Sequence, residues 1–187
     1  RSEFVSRGLV PEHKTMVLHG EGVDTEYFSP LRNPNDDGKI RFLLVARMLW
    51  DKGVGEYVEA ARHIKAKCPN TEFQLLGACG VANPSNIGQE QINEWVNEGV
   101  VEYLGTTQDV RPIIAQAACV VLPSYREGIP RTMIEAAAMA KPIIVSSAPG
   151  CRDVVIPETT GLMCDVKNAH SLVQCMETFL SASQKER

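Results

Sequence analysis

Apolar residues along this chain recur in two alternating rhythms. Ile40 to Ala46 is an apolar run broken only by Arg41, as suits a strand buried on both faces of a parallel sheet. Val54 to Lys67 then places Val54, Val58, Ala61 and Ile64 on one stripe, continued by Cys68, which predicts a helix. The alternation continues to the end of the chain. Strands are predicted at Phe73–Gly77, Val100–Leu104, Cys119–Leu122, Ile143–Ser146 and Gly161–Cys164. Between and after them, helices are predicted at Glu90–Glu98, Val110–Ala117, Arg131–Ala140 and Ala169–Leu180. In the helix over 90–98, Ile92, Trp95 and Val96 should share the buried side. An additional short strand is predicted at Thr15–His19.

Strands and helices at such short intervals imply βαβ units: an α/β, Rossmann-like three-layer domain with a mostly parallel sheet. Such sheets bind ligands at the carboxyl ends of their strands, near a topological switch point. Gly20 to Gly38 is rich in turn formers, including Gly22, Asp24, Pro30, Pro34, Asp36 and Asp37. It is the best candidate linker, with Asp36–Asp37 as a solvated turn. The expected organisation is residues 1–38 as a leading segment and linker from an N-terminal domain missing here, then 39–187 as the ligand-binding domain.

Composition narrows the class. With 187 residues, the chain suits one domain of about 150 residues and can bury a core without a disulfide or metal staple. A net charge of −4 gives no footprint for nucleic acid. The six cysteines show no C-x-x-C spacing and read as reduced, buried small hydrophobes of a cytoplasmic protein. The histidines show no metal spacing, and no metal is expected. His63 and His170 read as helix-surface residues, whereas His19 could face a cleft. No stretch reaches the ~18 apolar residues of a membrane span.

Two loops carry candidate chemistry. After the run ending at Ala46 come Arg47, Lys52 and Gly53, just before a helix. Cations beside a helix N-terminus make a phosphate site, although alone the pair fits two solvated surface charges better. The second segment is stronger. It follows the strand ending at Leu122 and reads Pro123-Ser124-Tyr125-Arg126-Glu127-Gly128-Ile129-Pro130-Arg131. Pro130 suits a first helical position, and Gly128 lets a ligand approach the backbone. Glu135 lies seven intervening residues beyond Glu127, inside an apolar helix with Met133, Ile134 and Ala136. A carboxylate there needs a partner, and the two hydroxyls of a ribose would supply one.

The Glu, seven residues, Glu segment resembles the donor-binding signature of family 4 retaining glycosyltransferases. Gly22-Val23-Asp24 with Phe28, Arg47, Lys52-Gly53, Leu104-Gly105, Pro142–Val145, Gly150 and Gly161-Leu162 match the same family in order, covering nearly all of residues 15–180. The resemblance implies the C-terminal half of a GT-B architecture, with the active site between two Rossmann-like domains. It assigns the donor diphosphate to Arg47 and Lys52 and the sugar to Glu127. It assigns a backbone N–H cradle to Gly128, Ile129 and Arg131, the ribose to Glu135, and the base to the loop after Leu104. The donor would be a nucleotide-diphosphate sugar, by analogy a UDP-sugar, with no further cofactor and no D-x-D metal motif. The acceptor would be a glycan or lipid-linked, as in bacterial surface-polysaccharide synthesis. It would be bound by the missing domain, which could also attach the protein peripherally to the inner face of the cytoplasmic membrane. A non-catalytic nucleotide-sugar-binding module and a sugar-nucleotide epimerase remain alternatives. Glu127 argues against the first, and the order of motifs against the second.

Overall fold

A computed structural model describes residues 1–18, 20–32, 37–157 and 159–185. Six strands form one sheet: β1 (Ile40–Val45), β2 (Thr71–Leu76), β3 (Glu102–Tyr103), β4 (Cys119–Leu122), β5 (Ile143–Ser146) and β6 (Gly161–Cys164). Their order across the sheet is β3-β2-β1-β4-β5-β6, with every pair parallel. Among the described residues, six α-helices accompany them: α1 (Ser2–Ser6), α2 (Val54–Lys67), α3 (Gln89–Asn97), α4 (Arg111–Gln116), α5 (Arg131–Ala138) and α6 (Ala169–Lys185). The predicted helix over 54–67 and the strands over 119–122, 143–146 and 161–164 have the bounds that the pattern gave.

Alternation along each strand builds two cores, because successive side chains point to opposite faces. Phe42, Leu44, Cys119, Val121 and Ile144 join one apolar cluster with α2, α3 and α6. Leu43, Val120, Leu122, Ile143 and Val145 join the other, with α4 and α5. Burial on both faces is what makes these strands near-continuous apolar runs. The break at Arg41 is real but paired. Its guanidinium is buried and meets Asp37 and, at 2.8 Å, Glu72.

Several expectations need correction. Residues 15–18 form no strand. Met16 is 79% exposed, and Val17 and Leu18 are exposed as well. In α3, Ile92 and Trp95 are buried but Val96 is 39% exposed; the core takes only the i, i+3 pair. Asp37 is exposed in a bend, as expected, and in addition pairs with Arg41, which holds its carboxyl down at about 2. Pro130 caps α5 from outside and Arg131 is its first helical residue. His19 and Asp36 lie outside the described residues. In the leading segment, Phe28 is buried in the α4/α5 core, and a Cβ at Gly20 would lie 2.9 Å from Ile129.

Candidate functional site

Strand order reverses between β1 and β4, so their carboxyl ends form the switch point of the sheet. The loops leaving these two strands touch. Gly53 has φ +72, and a Cβ there would sit 2.2 Å from the Pro123 carbonyl oxygen. Only glycine allows the β1–α2 loop to approach so closely in that conformation. Ser124 Oγ and Tyr125 N–H both donate to the Asp51 carbonyl, at 3.0 and 2.8 Å. Lys52 Nζ then reaches Glu127 Oε1 at 2.5 Å, with both side chains largely buried. Arg47, on the same loop as Lys52, is exposed, and its side chain has no polar partner among the described residues.

Helix α5 begins directly behind Glu127. Glu127 N–H donates to the Pro149 carbonyl at 3.2 Å, whereas the N–H groups of Gly128, Ile129 and Arg131 donate to no acceptor among the described residues. Unclaimed N–H groups at a helix start are an anion site. Gly150 backs this loop, since a Cβ there would lie 1.6 Å from the Gly128 carbonyl oxygen. One turn into the helix, the buried Glu135 accepts from Arg131 Nε at 3.1 Å. Burial pushes its carboxyl above the ordinary range, and the Arg131 guanidinium opposes that rise. Across the β1 side, Leu104 N–H donates to Leu75 and the Gly105 carbonyl accepts from Gly77.

The sequence pattern of the family described as "Glycosyl transferases group 1" matches residues 39–182, which include both loops and α5. The chain belongs to this family. It is 33% identical over 190 residues to an N,N'-diacetylbacillosaminyl-diphospho-undecaprenol alpha-1,3-N-acetylgalactosaminyltransferase of Campylobacter jejuni, covering 96% of this chain and 48% of that protein. It is 25% identical over 166 residues to an Escherichia coli UDP-Gal:alpha-D-GlcNAc-diphosphoundecaprenol alpha-1,3-galactosyltransferase, covering 83% and 42%. This glycosyltransferase chain therefore spans about half the length of the curated relatives it matches. Among solved structures, Anabaena Alr3699/HepE in complex with UDP superposes with a TM-score of 0.80 at 21% identity, covering 98% of this chain and 52% of that one. The Rossmann-like fold is thus that of glycosyltransferases.

Within the group 1 glycosyltransferase chain, the structure gathers Lys52, Glu127 and the α5 N-terminus at one place. Glu127 and Glu135 are not bonded to each other; each has its own cation. Reading by motif missed what joins the loops: Asp51, Ser124, Tyr125, and Glu56 in the first turn of α2, which accepts from the Tyr125 hydroxyl at 2.7 Å. The signal available was Ser124-Tyr125 directly before the Arg126-Glu127 pair. Among the described residues no cluster of His, Cys, Asp or Glu is gathered to hold a metal, and no helix is long and apolar enough to cross a membrane. All six cysteines are free; Cys119, Cys151 and Cys164 are buried, but Cys68, Cys79 and Cys175 only half so. His63 and His170 are exposed on α2 and α6.

Proposed function

We propose that this chain binds a UDP-sugar and supplies the donor side of a retaining transfer. The sugar, a hexose or N-acetylhexosamine, would pass to a glycan or lipid-linked acceptor at the cytoplasmic face of the membrane. One observation carries the reading: the Lys52–Glu127 pair bridges the two switch-point loops beside an α5 N-terminus whose N–H groups are unclaimed. The diphosphate lies against Arg47, Lys52 and those N–H groups, and Glu127 meets the sugar. Glu135 takes the ribose hydroxyls, exchanging part of its bond to Arg131 for them. As the sugar–phosphate bond breaks, positive charge grows on the sugar ring and negative charge on the leaving UDP. Arg47, Lys52 and the helix start stabilise that leaving group. Preorganised donors of this kind contribute on the order of 3 kcal/mol each. The undecaprenol-linked acceptors in the names of two relatives support the acceptor class, and UDP bound to a structural neighbour supports the base.

The test is calorimetric titration with UDP, GDP and several UDP-sugars, alongside Arg47→Ala and Glu135→Ala. UDP binding that weakens by more than about 1 kcal/mol in each variant is the expected result. No nucleotide binding, or unchanged binding in both variants, refutes the assignment.

A further inference from the structure

Tyr125 stands two residues before Glu127 and holds the opposite side at two points, one in the β1–α2 loop and one in the first turn of α2. Its N–H donates to the Asp51 carbonyl at 2.8 Å. Its hydroxyl donates to Glu56 Oε1 at 2.7 Å. In sequence, Lys52 lies between these two attachments. The other carboxylate oxygen of Glu56 is buried without a partner, so the Tyr125 hydroxyl is the one group that side chain binds among the described residues. On its far side, the Tyr125 ring lies 4.7 Å from Lys167 Nζ, a cation–π distance. Lys167 sits in the β6–α6 connection with φ 57, a conformation that a residue with a Cβ adopts rarely. Burial, and then the Glu56 carboxylate, push the Tyr125 hydroxyl well above its ordinary range, so it remains a donor.

Tyr125 therefore ties the connection after β4 to the β1–α2 loop through its backbone, and to α2 and the connection after β6 through its side chain. Ser124 and Ser85 also hold this loop, through Asp51 and Trp50, but on the helical side of Lys52 the Tyr125–Glu56 bond links it to the Glu127 loop. We propose that Tyr125 is a positioning residue, fixing where the Lys52 ammonium stands beside Glu127 and so where it meets a diphosphate. This rests on the nucleotide-sugar reading of the site. Tyr125 acts through Lys52 and need not touch the ligand, so its removal should weaken recognition of the diphosphate and leave recognition of the nucleoside alone.

The experiment is a titration of this chain with UDP and, separately, with uridine, for the parent, Tyr125→Phe, Glu56→Ala and the double variant. The parent is expected to bind both. Tyr125→Phe should lose about fivefold or more in UDP affinity, the scale of one hydrogen bond, with uridine affinity unchanged. Glu56→Ala should show the same loss, and the double variant no further loss, because both changes remove one bond. Equal weakening of UDP and uridine would mean a merely structural role and overturns the proposal. So do unchanged UDP affinity in Tyr125→Phe and additive losses in the double variant. Should Glu56→Ala not fold, the comparison of UDP with uridine in Tyr125→Phe decides alone. A parent that binds no UDP overturns the nucleotide reading itself, and this inference with it.

Discussion

Gly53→Ala should damage both stability and the site, and by more than the backbone angle explains. Gly53 has φ +72, and an added Cβ would meet the Pro123 carbonyl oxygen at 2.2 Å, its carbonyl carbon at 2.7 Å and its ring Cγ at 2.8 Å. Left-handed backbone costs a non-glycine residue about 1–2 kcal/mol. Overpacking against atoms that cannot rotate away adds roughly 1–3 kcal/mol. The lower entropy of an alanine in the unfolded chain returns about 0.4–1 kcal/mol. The net expectation is a loss on the order of 2–4 kcal/mol, a large share of the roughly 5–15 kcal/mol that holds a domain folded. Gly99 supplies the control: its φ is +75, but nothing lies within 4 Å of an added Cβ. Gly99→Ala should therefore cost only the angle, about 1 kcal/mol. Urea unfolding of the parent and both variants measures the difference. UDP titration at a temperature where all three are folded should show weaker binding for Gly53→Ala alone, since the clash pushes Lys52 away from Glu127. Equal destabilisation by the two substitutions would refute the close approach of the loops.

Further outcomes follow from the same geometry. Arg47→Ala should weaken UDP binding by more than about 1 kcal/mol and leave the thermal midpoint unchanged, because the exposed Arg47 side chain has no polar partner to lose; a lowered midpoint contradicts this. Burial raises the Glu135 carboxyl above its ordinary range, so the folded chain keeps this proton to higher pH than the unfolded one. Its contribution to stability is then full below the ordinary carboxylate pKa and is lost as pH rises through the raised value. Nucleotide affinity runs the other way, falling as acidification neutralises Glu135, and Glu135→Gln should abolish that pH dependence in calorimetry. Burial pushes the thiols of Cys151 and Cys164 up to about 11 and about 12, and that of Cys119 higher still. A thiol reagent followed by mass spectrometry should therefore label Cys68 and Cys79 in the folded chain and these three only on unfolding; early labelling of Cys119 would contradict its burial.

The elements were legible where burial imposes a period. Cys119–Leu122 and Ile143–Ser146 are buried at every position, and a strand buried on both faces reads as a short unbroken apolar run. Thr15–Leu18 carries the same local signal without becoming a strand, because pairing depends on a neighbour that the run itself does not encode. Val96 failed similarly: periodicity marks which residues could face a core, not how wide the core contact is. The site was legible as two motifs but not as one place. Lys52 and Glu127 are 75 positions apart, and Tyr125 and Glu56 are 69 apart. Only the placing of β1 beside β4 brings those loops together. The sequence suggested that both loops bind phosphate and sugar; the register of the sheet makes them halves of one surface.

The charge of the chain places a condition on how that surface works. At a net −4, this chain carries no broad attraction for a diphosphate, so the proposed recognition of one rests on groups within hydrogen-bond range. There the balance reverses. Glu127 and Glu135 are each matched by a cation, Lys52 and Arg131, while the Arg47 side chain and the N–H groups of Gly128, Ile129 and Arg131 are unclaimed among the described residues. The Lys52 ammonium also has three donors, and its bond to Glu127 uses one. Screening acts over about 8 Å at physiological ionic strength, which removes most of the long-range repulsion and little of a contact at bonding distance. A site of this kind gains selectivity from fixed geometry rather than from a broad positive field. On the proposed reading, the ties holding Lys52 in place then matter as much as the charge it carries.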